Sequence, residues 1–342
     1  MGATLDSVDL AKLSPAHRFS NTEPGGPIVP GPSVLRDALT GMRRGRPSRP
    51  VPLAASPVPE QVADIALTWY GHASAMIEVD GHRVLVDPVW SNRVSPSSLV
   101  GPARLHPVPV PLDALPPVDA VVISHDHYDH LDKATIRALA RTRHMPFLVP
   151  LGVAAHLRGW GIADDRIVEL DWEKGTSIGA LTVTCAEARH FSGRALVRNN
   201  TLWASWVIAG PDHSVYFGGD TGYSKCFAEI AGRHGPFDAT VLPIGAYDRH
   251  WRDIHMDPEE AVAAHADLNL GDPAHGVLMP IHWATFNLAL HAWDEPVRRL
   301  VAAAAAAGTP IAVPRPGERV DLSDPAALFD PAHAQPWWDG IG

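Results

Sequence analysis

Two cysteines, Cys185 and Cys226, are all that this chain of 342 residues contains, and no CxxC is present. That excludes a disulfide framework and makes a reducing, cytoplasmic compartment the expectation. Long apolar runs are missing as well. No stretch approaches the roughly 20 residues needed to span a bilayer, so any membrane contact would be peripheral. The first residues, MGATLDSVDLAKLSPAHRF, lack an apolar core between a basic start and a small-residue cleavage site, and no signal peptide is expected. Positive charge is in deficit: 28 Lys and Arg stand against 38 Asp and Glu, a formal charge of −10. Such a surface repels phosphate backbones unless a local patch overrides the total, and no nucleic-acid partner is expected. The densest basic stretch, MRRGRPSR (42–49), reads as a solvated tether. Oligomeric state is not legible.

What is present suits a globular protein. Hydrophobic residues make up 46% of the chain, enough for a sizeable core. Much of the proline falls in the first 120 residues, and residues 1–60 read as a Pro-rich arm with at most a short helix near Val34–Met42. Residues 61–342 read as the folded domain. In LTWYGHASAMIEVDGHRVLVDP, Asp80-Gly81 between two apolar runs signals a hairpin. Strand-like runs follow at 120–124, 181–186, 203–208, 214–218, 239–244 and 277–281. A helix is expected after Asp132, which can cap it. Another is expected over 257–266, where Asp257, Pro258 and Glu260 have capping-box spacing, and a third over the Ala-rich 294–307. Hairpins mixed with strand–helix units suggest an α/β fold of two sheets with helices outside them.

The apolar run AVVIS (120–124) leads into SHDHYDHLD (124–132), which holds three histidines and three aspartates. Imidazole and carboxylate donors in H-x-H-x-D-H suit zinc and similar divalent ions. Alternate residues of an extended segment share a side, so His125 and His127 can grip one ion, while the following turn carries Asp129 and His130 toward a second. Three later strands each deliver one metal-type side chain at their ends: His190 after LTVTCAEAR, Asp220 in GGDTG and His282 in PIHW.

This order of motifs resembles the metallo-β-lactamase superfamily over roughly 65–320. The resemblance implies an αβ/βα four-layer sandwich with a binuclear site at one edge. It implies that His125, His127 and His190 hold one ion, that Asp129, His130 and His282 hold the other, and that Asp220 bridges them, with zinc as the expected metal. True β-lactamases of the fold usually differ at the Asp220 position, so antibiotic hydrolysis is not expected. HRFSN (17–21), TLWASWVI (201–208), GDTGYS (219–224), GPFDATVLPIGAY (235–247) and MDPEEAV (256–262) are similar to the N-acyl-phosphatidylethanolamine-hydrolysing phospholipase D group.

That group implies cleavage of N-acyl-phosphatidylethanolamine to N-acylethanolamine and phosphatidic acid, by a hydroxide that two ions about 3.5–4 Å apart would share and acidify. His255, just before a capped helix, is the candidate for assisting the leaving group. Asp87 and His72 are candidates for supporting the ligands from behind. Tyr128 and Tyr247 are candidates for substrate contact, with packing as the competing role. The lipid reading predicts an apolar groove beside the ions. A second reading, a phosphodiesterase or lactonase for sugar phosphates or nucleotides, predicts a small polar pocket with Arg near the ions, and Arg189, Arg194, Arg249 and Arg252 are close to ligands in sequence. A third is a redox module that holds iron on the same ligands.

Overall fold

Asp80 and Gly81 sit at φ 44° and 79°, between β2 (Ser74–Val79) and β3 (His82–Val86), with Val79 opposite His82. Positive φ at both turn positions gives the twist that a two-residue hairpin needs. The computed structural model describes residues 18–25, 44–54, 59–194, 197–324, 328–329 and 336–342. The helix expected near 34–42 lies outside them.

The first sheet joins β2 and β3 to β1 (Ile65–Gly71), β4 (Ala120–Val122), β5 (Phe147–Pro150), β6 (Ile167–Leu170) and β15 (Arg319–Asp321), in the order β15-β1-β2-β3-β4-β5-β6. The second contains β7 (Lys174–Ile178), β8 (Leu181–Ala186), β11 (Ser205–Ala209), β12 (Ser214–Phe217), β13 (Ala239–Pro243) and β14 (Val277–Ile281), ordered β14-β13-β12-β11-β8-β7. A short ribbon of β9 (Gly193–Arg194) and β10 (Val197–Arg198) stands apart.

Strand periodicity explains the layers. In the first sheet Trp69, Ile77, Val84, Val122 and Leu148 point one way, into a core shared with Val183, Trp206 and Phe217 of the second sheet. Their neighbours Tyr70, Met76, Leu85, Val121 and Phe147 point the other way. There they meet Ile136 and Leu139 of α1 (Lys133–Thr142) and Leu157 of α2 (Ala154–Gly159). Helices α3 (Cys226–His234), α4 (Pro258–Leu268) and α5 (Glu295–Ala307) join the core of the second sheet. The result is the four-layer αβ/βα sandwich.

The expected caps form. Asp132 accepts a hydrogen bond from the Ala134 amide, and Asp257 and Glu260 make a complete capping box with Pro258 in the first turn. Among the described residues no helix is long and apolar enough to cross a membrane.

Strands β3 to β6 run parallel, as do β12 to β14, and β8 and β12 are both antiparallel to β11. Within each of these parallel sets the carboxyl ends therefore face one edge, where α/β sheets commonly carry their ligands. Far from that edge, buried Glu78 accepts hydrogen bonds from Arg83 Nε (3.1 Å), Arg319 Nη2 (2.6 Å) and the Ala63 amide (3.0 Å). Removing one partner of such a network strands the others' charge. Glu78→Ala should lower unfolding stability by about 3–5 kcal/mol, read from the denaturant midpoint.

Candidate active site at the sheet edge

The segment after β4 is held rigidly from below. Asp87, at the end of β3, accepts from the Ser124 amide (2.7 Å), from Ser124 Oγ (2.5 Å) and from His130 Nδ1 (2.7 Å). Ser124 Oγ in turn lies 2.9 Å from His125 Nδ1 and can accept its proton. These bonds set tautomers: with Nδ1–H engaged, His125 and His130 turn their Nε2 lone pairs outward. His190 does the same, since its Nδ1 donates to the Ile254 carbonyl at 2.8 Å.

The donor atoms converge. His125 Nε2 lies 2.8 Å from His127 Nδ1, and His190 Nε2 lies 3.4 Å from the same atom. Asp220 Oδ2 is 3.9 Å from His125 Nε2 and 3.7 Å from His190 Nε2. On the other side Asp220 Oδ2 is 3.2 Å from His130 Nε2, and Asp220 Oδ1 is 3.1 Å from His282 Nε2. Asp129 Oδ2 approaches His130 and His282 at 3.6 and 3.5 Å. Three groups of side chains could therefore hold an ion: His125, His127, His190 and Asp220; His72, Asp129, His130 and His282; and Asp220, His255 and His282.

Buried polar atoms test whether a cation fits. His130 Nε2, His282 Nε2 and Asp220 Oδ1 are buried and make no hydrogen bond. Such atoms are costly unless something satisfies them, and imidazole with carboxylate is a donor set that a divalent ion satisfies. The residues fit a metal.

Electrostatics agree. Burial holds His125 and His190 well below the usual imidazole range, with neighbouring imidazoles adding to the effect. Burial also pulls on His282, but the Asp220 and Asp129 carboxylates outweigh it and lift this group to about 9. His130 is raised for the same reason. Asp220 and Asp129 stay well below the carboxylate range: burial opposes this, and the charge of His130 overcomes it. Without an ion, protons on His130 and His282 balance the buried carboxylates.

The close approach has backbone requirements. Gly219 has φ +57°, and a Cβ there would lie 2.6 Å from Ser124 Cβ, so only glycine lets Asp220 fold over the His125 segment. His72, Asp87 and His282 also adopt positive φ, at 53°, 39° and 64°. For residues with a Cβ this costs of order 1–3 kcal/mol each, and it clusters at functional sites.

Asp87 lies behind His130. His72 Nε2 is 2.9 Å from Asp129 Oδ2, and its backbone carbonyl accepts from the His282 amide. His255 Nδ1 faces Asp220 Oδ2 at 4.0 Å, and burial lowers its pKa to about 4. Tyr128 lies outside the donor cluster, under Arg194, whose guanidinium is 4.0 Å from the ring centre. Tyr247 donates to Glu295 Oε1 (2.8 Å) and stacks on His291. Both line clefts: Tyr128 one of about 460 Å³, Tyr247 one of about 440 Å³ that also includes His255. Asp132 caps α1 and is no part of the cluster.

Sequence reasoning missed Ser124, Asp126 and Asn21. Alternation offered a signal for Asp126, which must point away from its histidine neighbours. It is buried and accepts from the Gly193 amide (2.7 Å), with His156 Nε2 at 3.2 Å. Asn21 closes the HRFSN run (17–21), but nothing local names its partner; its side-chain amide bonds the backbone of His190 from 169 residues away.

Residues 82–283, more than half of the chain, match the family described as "Beta-lactamase superfamily domain". The chain belongs to the metallo-β-lactamase superfamily. Within it the protein is a metal-dependent hydrolase. An uncharacterized protein of Mycobacterium tuberculosis (strain H37Rv) is 53% identical over 99% of this chain and 91% of its own length. The N-acyl-phosphatidylethanolamine-hydrolyzing phospholipase D 1 of Caenorhabditis elegans is 35% identical, over 65% of this chain and 64% of its own. The crystal structure of an isothiocyanate hydrolase from Delia radicum gut bacteria shares the fold, with a TM-score of 0.60 at 22% identity, over 75% of this chain and 98% of that one.

Because His282 carries a proton below about pH 9 in the metal-free site, an ion must displace it. Zinc loading at pH 7 should therefore release protons, seen calorimetrically in buffers of different ionisation enthalpy. Apparent affinity should rise with pH for as long as His282 and His130 go on losing the protons that the ion must displace.

Proposed function

We propose that this hydrolase is a binuclear zinc phosphodiesterase of the phospholipase D type. On this reading it releases N-acylethanolamine and phosphatidic acid from N-acyl-phosphatidylethanolamine. The observation that carries the reading is Asp220, whose carboxylate lies between two histidine groups, Oδ2 facing His125, His190 and His130 and Oδ1 facing His282. The similarity to the C. elegans phospholipase D supports the choice of substrate. His125, His127 and His190 would hold one ion, Asp129, His130 and His282 the other, and Asp220 both. Ions so held supply Lewis-acid charge and acidify water near neutral pH.

The chain's own groups do the rest. Asp87 and Ser124 fix the rings of His130 and His125 so that the phosphate meets a preorganised site. His72 orients Asp129. His255, with its pKa lowered to about 4, is neutral at pH 7. It therefore serves the leaving oxygen as a hydrogen-bond partner on the cleft side of Asp220, rather than as a charged acid.

One observation favours a second reading. The cleft that includes His255 is polar, not the apolar groove expected for acyl chains. Arg44, Arg249, Arg252 and Arg299 line it together with Asp248, Asp257, Glu260 and Glu295. Arg299 is tied to Asp257 (3.1 Å) and Glu259, and Arg252 is exposed. Such a lining suits a small phosphorylated substrate, as in a sugar-phosphate or nucleotide phosphodiesterase.

Product analysis separates the two. Zinc-loaded protein incubated with N-acyl-phosphatidylethanolamine should give phosphatidic acid and N-acylethanolamine, while Asp220→Asn should give neither and load less metal. Cleavage of bis(p-nitrophenyl) phosphate with no lipid product would transfer the conclusion to the second reading. In that case Arg252→Ala should raise KM for a small anionic diester several-fold at unchanged kcat. On either substrate, His255→Ala should lower kcat by roughly 10²-fold or more with metal content intact; loss of metal would make His255 a ligand instead.

A further inference from the structure

We infer that Asn21 is a positioning residue for His190, and that residues 18–25 form a strap holding the second-sheet side of the metal site together. The inference rests on His190 being a metal ligand, as proposed above.

β8 ends at Ala186, and His190 lies four positions further on in an irregular segment. The sheet ladder does not hold its backbone. One side chain does: Asn21 Nδ2 donates to the His190 carbonyl at 2.9 Å, and Asn21 Oδ1 accepts from the His190 amide at 3.1 Å. The same Oδ1 accepts from Trp203 Nε1 at 3.0 Å, which anchors Asn21 to a buried indole. A carboxamide bonded to both main-chain groups of one residue restrains that residue as a strand partner would. With the ring tied to the Ile254 carbonyl, His190 Nε2 is left as the free end, aimed at His127 and Asp220.

The residues around Asn21 extend the restraint to the Asp220 loop. Glu23 Oε1 accepts from Ser224 Oγ (3.0 Å) and from the Lys225 amide (2.8 Å) at the entry to α3, where Ser224 Oγ in turn accepts from the Cys226 amide (3.2 Å). Arg189 donates to the Pro24 carbonyl (2.9 Å) and the Tyr223 carbonyl (3.1 Å), and pairs with Asp253 at 3.0 Å. Phe19 is buried, and its amide bonds the Asn199 carbonyl at 2.8 Å. The strap thus joins the loops that carry His190 and Asp220.

The test is zinc affinity measured by competition with a chromophoric chelator, alongside thermal unfolding of the metal-free protein. Asn21→Ala should weaken one of the two ions by roughly ten- to a hundred-fold, the usual effect of removing a group that orients a ligand. It should leave the other ion bound and the metal-free melting temperature within a few degrees of the parent. Asn21→Asp keeps both acceptor bonds but turns a carboxylate oxygen on the His190 carbonyl in place of the donor, so it should weaken the same ion at least as much as Ala; it carries the test if the Ala variant does not fold. Parental affinity for both ions in either variant overturns the inference. So does a loss of affinity matched by collapse of the metal-free melting temperature, which would make Asn21 part of the fold alone. His190→Ala measured in parallel tests the premise: if it retains both ions, the assignment of His190 as a ligand fails, whatever Asn21 does.

Discussion

The buried carboxylate of Asp220 is the constraint around which this protein is arranged. An ionised carboxylate removed from water is costly by several kcal/mol unless opposite charge and hydrogen-bond donors surround it. Here five histidine nitrogens, from His125, His130, His190, His255 and His282, lie within 4.0 Å of its two oxygens. They arrive on four loops, His125 and His130 together on the one after β4. The charge of one side chain therefore ties together segments after β4, β8, β13 and β14, and with them both sheets. In the metal-free protein the balance is struck by protons on His130 and His282; in the loaded protein, divalent charge would take their place.

The sandwich makes that convergence cheap in structural terms. Parallel strands bring their carboxyl ends to one edge, so side chains distant in sequence need only short loops to meet. What remains costly is local: positive φ at His72, Asp87 and His282, and the overlap that any side chain at Gly219 would create. A rigid scaffold with buried alternating faces can carry this strain because its core is large and continuous. The same rigidity lets Asp87 and Ser124 hold two imidazoles in fixed tautomers, which a mobile loop could not do.

On the proposed function, chemistry and substrate choice are carried by different parts of the molecule. The donor cluster is built from buried groups and the half-buried His127 and Asp129. The clefts on either side of it are built from loop residues, polar and charged around His255, aromatic and basic around Tyr128 and Arg194. Loops on a fixed scaffold vary without disturbing the site, which is why hydrolases of one fold take unlike substrates.

The sequence by itself determined the strands and helices with strong local signals, because alternation, turn residues and caps are local properties; β5, β6, β7, β15, α2 and α3 were not read from it. The Asp80-Gly81 hairpin, the run over 277–281 and the Asp257 capping box formed where the pattern put them. It also pointed to the side chains expected to seek a metal, because donor chemistry is written in residue type and the candidates follow strands. The tertiary structure alone decided how those side chains face one another: that Asp220 meets both histidine groups, that His255 and Tyr247 share a polar cleft, and that Asn21 holds His190. These depend on contacts between residues up to 169 positions apart, and no local preference encodes a partner that only the folded chain brings near.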